Sequence, residues 1–109
     1  MELETAYWDG ELVIAVQPRE ARMSHWIHAP RAWRSLDGQM LFDLTDSDWD
    51  LYGVSGDDED CLVLALRRYP GAGPLVRLTI ARGSLDMHLE GRSLPADDLL
   101  QQLQAWTDA

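Results

Sequence analysis

Three consecutive runs decide the fold class. They are Cys61-Leu62-Val63-Leu64-Ala65-Leu66-Arg67-Arg68-Tyr69, then Leu75-Val76-Arg77-Leu78-Thr79-Ile80-Ala81, then Leu85-Asp86-Met87-His88-Leu89-Glu90. In the second, Val76, Leu78 and Ile80 alternate with Arg77 and Thr79. In the third, Leu85, Met87 and Leu89 alternate with Asp86, His88 and Glu90. A period of two is what a strand needs to set one face on a core and the other in water. The first run is apolar on both faces as far as Arg67, which predicts a central strand covered on two sides. Cys61, inside that run, is then expected to be a buried thiol. Pro70-Gly71-Ala72-Gly73-Pro74 and Arg82-Gly83 separate the runs as turns, so this part reads as an antiparallel meander.

Towards the amino end, Glu2 to Trp8 and Glu11 to Gln17 flank Asp9-Gly10. Asp-Gly between two apolar runs is a strong hairpin signal, because the tight turn needs positive φ at both central residues. Leu12, Ile14 and Val16 share one face, and Pro18 is expected to end the strand. Residues 18–36 read as an irregular or short helical crossover, with a short helix from Arg19 to Ile27 stopped by Pro30. A second Asp-Gly at 37–38 precedes Gln39 to Leu44, where Met40, Phe42 and Leu44 are expected on one face. Asp48 to Val54 reads as a further strand and 55–60 as a polar loop. At the carboxyl end Ser93 is the expected N-cap and Pro95 the first turn, with Asp97 and Asp98 at the positive end of the helix dipole. Leu99, Leu100, Leu103 and Trp106 form one apolar stripe. The expectation is one domain over 1–109 of α+β class: a mostly antiparallel sheet of about six or seven strands, with a C-terminal helix packed on one face. Its core takes in Val63, Leu64, Leu78, Ile80, Met87, Leu89, Leu99 and Leu103.

Composition narrows the function. Nineteen acids face nine bases over 109 residues, a net charge of −10, and 46% of the residues are hydrophobic. All nine bases are Arg, so a P-loop lysine, a Schiff-base lysine and a Ser–Lys dyad are excluded. The negative field repels phosphate backbones, so the partner is expected to be a basic protein and not a nucleic acid. The longest apolar run, Cys61 to Leu66, is too short to span a bilayer, so no membrane role is expected. Met1-Glu2-Leu3-Glu4 is acidic and lacks the apolar core of a secretory signal. One cysteine forms no internal disulfide, and a cytoplasmic location is expected.

The catalytic and metal motifs each fail on a specific residue. Asp46-Ser47-Asp48-Trp49-Asp50 opens like a calcium-binding EF-hand loop, but the sixth position is Leu51 and the twelfth Asp57, where Gly and Glu are required. His25 and His28 would share a helix face three residues apart, but a strand sends them to opposite faces and nothing brings His88 and Cys61 to them as zinc ligands. Gly53-Val54-Ser55-Gly56 is not the nucleophile elbow of a hydrolase. No enzyme, metal or cofactor is expected. What remains is charge. From Asp37 to Asp60 there are nine acids and no base, whereas 18–36 carry four Arg and 61–92 carry five. On a strand, Asp46, Asp48 and Asp50 share one face, with successive carboxylates roughly 7 Å apart. Such a row is either a solvated face or a ridge that meets Arg or Lys of a partner. The partner-binding candidates are Asp43, Asp46, Asp48, Asp50, Asp57, Asp58, Glu59 and Asp60. Trp26 and Trp33 join them, since tryptophan beside arginine has the composition of an interface hot spot.

With its Trp8-Asp9-Gly10 and Leu36-Asp37-Gly38 hairpins, its acid-rich stretch 43–60 and its closing helix after Ser93, the chain resembles, as a class, the small acidic immunity proteins of bacterial toxin systems. The resemblance implies a non-enzymatic antitoxin that blocks a cognate toxin, often a secreted nuclease, through an acidic face. Two other classes fit the composition. A cytoplasmic secretion chaperone or adaptor would dimerise around an apolar groove. A small enzyme or ligand-binding domain would line a pocket with carboxylates and Trp.

Overall fold

The computed structural model describes all residues except 1, 21–25, 46, 57–59, 70–74, 95–97 and 109, together with the side chains of 106–108. Among the described residues nine strands precede one helix: β1 (Leu3–Tyr7), β2 (Leu12–Glu20), β3 (Trp26–Arg34), β4 (Met40–Asp43), β5 (Trp49–Ser55), β6 (Cys61–Arg68), β7 (Val76–Ala81), β8 (Met87–Leu89), β9 (Arg92–Leu94) and α1 (Leu99–Asp108). The strands form not one sheet but two, in the orders β1-β2-β3-β4 and β5-β6-β7-β8-β9, antiparallel throughout. Leu12, Ile14, Ala32 and Phe42 from the first sheet meet Leu62, Leu64, Leu66, Val76, Leu78 and Ile80 from the second in a single core, and Leu99 and Leu103 of α1 join it. No helix among the described residues is long and apolar enough to cross a membrane.

Within 18–36, where a helical crossover is expected, the described residues as far as Arg34 are strand. β2 runs through Pro18 and β3 through Pro30, and the two pair without a slip from Leu12↔Arg34 to Glu20↔Trp26. The register explains how two prolines are accommodated. In an antiparallel strand the N–H and C=O of one residue point to the same edge. The Pro30 C=O accepts from the Leu44 N–H at 2.9 Å, so the missing Pro30 donor also faces away from β2. The His28 N–H likewise points away, to the Asp50 carboxylate at 2.9 Å. Pro18, opposite His28, therefore sits at a position of the ladder where no bond is exchanged. His25 lies outside the described residues, and the helix expected over Arg19–Ile27 is not formed by the described part of that stretch.

Other expectations are refined in the same way. The first hairpin turns one residue early. The Gly10 N–H reaches the Tyr7 C=O, which places Trp8 and Asp9 at the centre of the turn with φ of 55° and 57°. Trp8 is nevertheless buried, which ties the turn to the core. A bulge where β3 meets β4 breaks the alternation expected for 39–44, so Leu41 and Phe42 are buried while Met40 is exposed. In β6 only Leu62, Leu64 and Leu66 are buried. Val63 and Ala65 are half-exposed and Cys61 is exposed, so the strand is covered on one face and its thiol is not buried. Gly56 lets the chain enter β6 closely: a Cβ there would collide with the Cys61 carbonyl oxygen. Ser93 lies in β9 and is not a helix cap. Asp98 takes that place, its C=O accepting from the Gln102 N–H at 3.0 Å and its carboxylate from the Gln102 side chain at 3.1 Å. Pro95, Asp97 and the Trp106 side chain lie outside the description.

Leu64→Ala or Leu103→Ala is expected to cost about 2–5 kcal/mol in chemical denaturation, because each side chain is fully buried, and Val63→Ala less than either. Asp50→Ala removes an exposed hydrogen bond to the His28 N–H and is expected to cost about 0.5–1.5 kcal/mol. Asp48→Asn, at an exposed pair, is expected to stay within about 0.5 kcal/mol of the parent.

Candidate functional site

The chain passes from the first sheet to the second through residues 44–48, and α1 lies beside that passage. Between them runs a trough of about 470 Å³ lined by Asp43, Ser47, Asp48, Trp49, Arg68, Leu100 and Gln104. It adjoins a second hollow of about 310 Å³, lined by Met40, Phe42, Asp43, Leu44, Leu99 and Leu100. Asp43 and Leu100 belong to both. The helix supplies one wall because Leu99 and Leu103, four residues apart, turn inward, which leaves Leu100 and Gln104 on the neighbouring row.

The carboxylates of this groove are fixed by local bonds. Asp43 closes a short turn: the Thr45 N–H (3.0 Å) and hydroxyl (2.5 Å) both donate to its Oδ1. Burial pushes the Asp43 carboxyl up, but the Thr45 bonds and the charge of Arg31 outweigh it and hold the group below the ordinary aspartate value. Asp48 is exposed and stands 3.4 Å from the Arg19 guanidinium, which also donates to the Ser47 C=O at 2.9 Å. An exposed single-contact pair of this kind is weak and exchanges with water.

On the outer face of the first sheet, Arg31 makes a two-pronged bond to Glu2, at 2.7 Å and 2.5 Å. The hydrogen bonds from Arg31 hold the Glu2 carboxyl below its ordinary range, and Glu2 raises Arg31 in turn. The Arg31 guanidinium also lies 4.9 Å from the centre of the Trp33 ring. The register sets Asp43 opposite Arg31 and Met40 opposite Trp33, so this face leads into the groove.

The five described acids of the segment from Asp37 to Asp60 are thus dispersed. Asp43 and Asp48 line the groove. Asp50 spends an oxygen on the His28 N–H and stands 3.7 Å from the imidazole. Asp37 accepts from the Gln39 N–H inside its own turn. Asp60 lies beyond the far end of β5, about 30 Å along the strands from Asp48, whose main chain meets Tyr69. Asp46, Asp57, Asp58 and Glu59 lie outside the described residues. Trp26 is half-exposed but is seven residues from Trp33, on the opposite face of β3 and about 23 Å away, so the two form no common patch. Among the described residues, no three His, Cys, Asp or Glu side chains converge as metal ligands do. Sequence reasoning did not single out Ser47, Arg68 or Gln104. The signal for Gln104 was its spacing of four from Leu100, which the apolar stripe already contained.

No protein family, curated protein or solved structure matches the chain.

Both lowered carboxyls give stability with the same sign. Their contribution is complete above the ordinary carboxylate range and is lost as pH falls through the lowered folded-state values. Melting temperature measured from neutral to acidic pH should therefore fall on the acid limb. In Glu2→Gln that limb should be shallower, and the melting temperature at neutral pH lower.

Proposed function

We propose that this protein is a non-enzymatic binding protein that neutralises a basic toxin, as immunity proteins do, by seating a basic segment of the toxin against the groove beside α1. The observation that carries this reading is the pairing of Asp43 and Asp48 with the exposed apolar surface of Leu100 in one trough, on a chain of net charge −10. An arginine or lysine offers what such a trough takes: an aliphatic stem to lie along Leu100 and Met40, and a cationic head for the two carboxylates. Arg19, held between the Ser47 carbonyl and Asp48, is an internal example of a guanidinium recognised at this rim. The surplus of acid draws a basic partner before contact, which speeds association and makes it sensitive to salt. An unpaired, exposed Cys61 suits a reducing compartment, and the proposed place of action is the cytoplasm.

The test begins with the adjoining reading frame. Its product is expected to be toxic when expressed alone and harmless when this chain is co-expressed. Replacing Asp43 and Asp48 together by Asn keeps the shape and removes two charges. Association with that product at low salt should slow by about tenfold, while the protein stays folded and loses a little stability with the Asp43 charge. A double variant that associates as fast as the parent would remove the groove from the reading. Failure of the parent to suppress toxicity would remove the immunity function itself.

A further inference from the structure

β1 is an edge strand with an unusual exposure. Leu3, Glu4, Thr5 and Ala6 are all exposed, and Tyr7 is half-buried. The register places Leu3, Thr5 and Tyr7 opposite Val16, Ile14 and Leu12, on the side of the sheet that faces the core. Yet Leu3 is 54% exposed, so β1 projects past the second sheet as a ledge whose inner side is uncovered.

The direction of its backbone groups can be derived. Pro18, Val16, Ile14 and Leu12 occupy positions of β2 that exchange no bonds with β3, so the N–H and C=O groups of Leu12, Ile14 and Val16 face β1. Leu3, Thr5 and Tyr7 are therefore the residues bonded to β2, and Glu4 and Ala6 turn their N–H and C=O groups to the outer edge. No strand lies there among the described residues. The usual guards of such an edge, a proline, a lysine or a bulge, are absent from β1. Its one acid is Glu4, and the neighbouring Glu2 is neutralised by Arg31.

We infer that this edge pairs with the same edge of a second copy of the chain, antiparallel about a two-fold axis at Thr5. The sequence of β1 is self-complementary in that register. Glu4 stands opposite Ala6 of the second copy and Ala6 opposite its Glu4, at positions that exchange four main-chain hydrogen bonds. No carboxylate stands directly opposite another. Leu3 stands opposite Tyr7 of the second copy on the inner side. The exposed leucine thereby packs beside a residue that already borders the other copy's core. Thr5 faces Thr5 at a non-bonded position, where side chains approach most closely. The two four-stranded sheets become one sheet of eight.

Sedimentation velocity on the full chain over a concentration series provides the test. The parent is expected to pass from monomer to dimer with rising concentration. Thr5→Lys lowers the net charge from −10 to −9. General repulsion between copies would then predict tighter association, but two lysines facing each other at the axis should weaken it by about fivefold. Thr5→Asp should weaken it too, and an equimolar mixture of the two variants should recover dimer. Ala6→Pro removes an outward N–H without touching the β2 ladder and should also favour monomer. The proposal is overturned if the parent remains monomeric across the series. It is equally overturned if Thr5→Lys dimerises as well as the parent, or if the mixture recovers nothing.

Discussion

The architecture hangs on how the outer edge of β3 is satisfied. β3 has nine residues and β4 only four, so β4 covers Arg31 to Trp33 and leaves the earlier half of that edge without a ladder. The main-chain polar groups along such an edge need partners from the protein or from water. Here the chain leaving β4 supplies them: the Leu44 N–H meets the Pro30 C=O, and the Asp50 carboxylate meets the His28 N–H. The same few residues that complete β3 also start the second sheet. This seam carries Leu44 and Trp49 into the core, leaves Asp43 and Asp48 at the surface, and opens the trough that α1 closes on its other side.

That seam also marks where sequence reading gives out. The meander from β6 to β8 was legible because its alternation is strict and each strand is bounded by turn residues. The helix was legible from Leu99 and Leu103, although its start lies at Asp98 and not near Ser93. Residues 18–36 were not legible, because proline breaks a strand only where its missing donor is needed. Whether Pro18 and Pro30 fall at such positions depends on pairing with residues that are distant in sequence. Alternation likewise shows that a strand has an inner face without showing which other face it meets. One sheet and two packed sheets therefore read alike.

The acids illustrate the same limit in electrostatic terms. Spacing predicts Asp46, Asp48 and Asp50 on one face, but the roles of Asp48 and Asp50 are set by groups more than twenty residues away. Arg19 comes to Asp48 and the His28 main chain to Asp50, while Glu2 reaches back to Arg31. A count of charges predicts the sign of the field and not which carboxylate is already engaged. Once these pairs are drawn, the acid surplus remains, and Asp43 and Asp48 sit where that surplus meets apolar surface.

The order of strands in both sheets follows their order in the chain, without a single crossover. Every ladder therefore closes a short loop, and the entropy lost in closing it is small. Residues 3–43 and 49–94 can each zip up hairpin by hairpin as self-contained units. The contacts that span the chain, such as those joining Ile14 to the second sheet, come into being when the two units dock. Topologies dominated by such local pairings fold faster than interleaved sandwiches of the same size. In this molecule the docking of the two sheets brings Asp43 of the first beside Trp49 and Arg68 of the second.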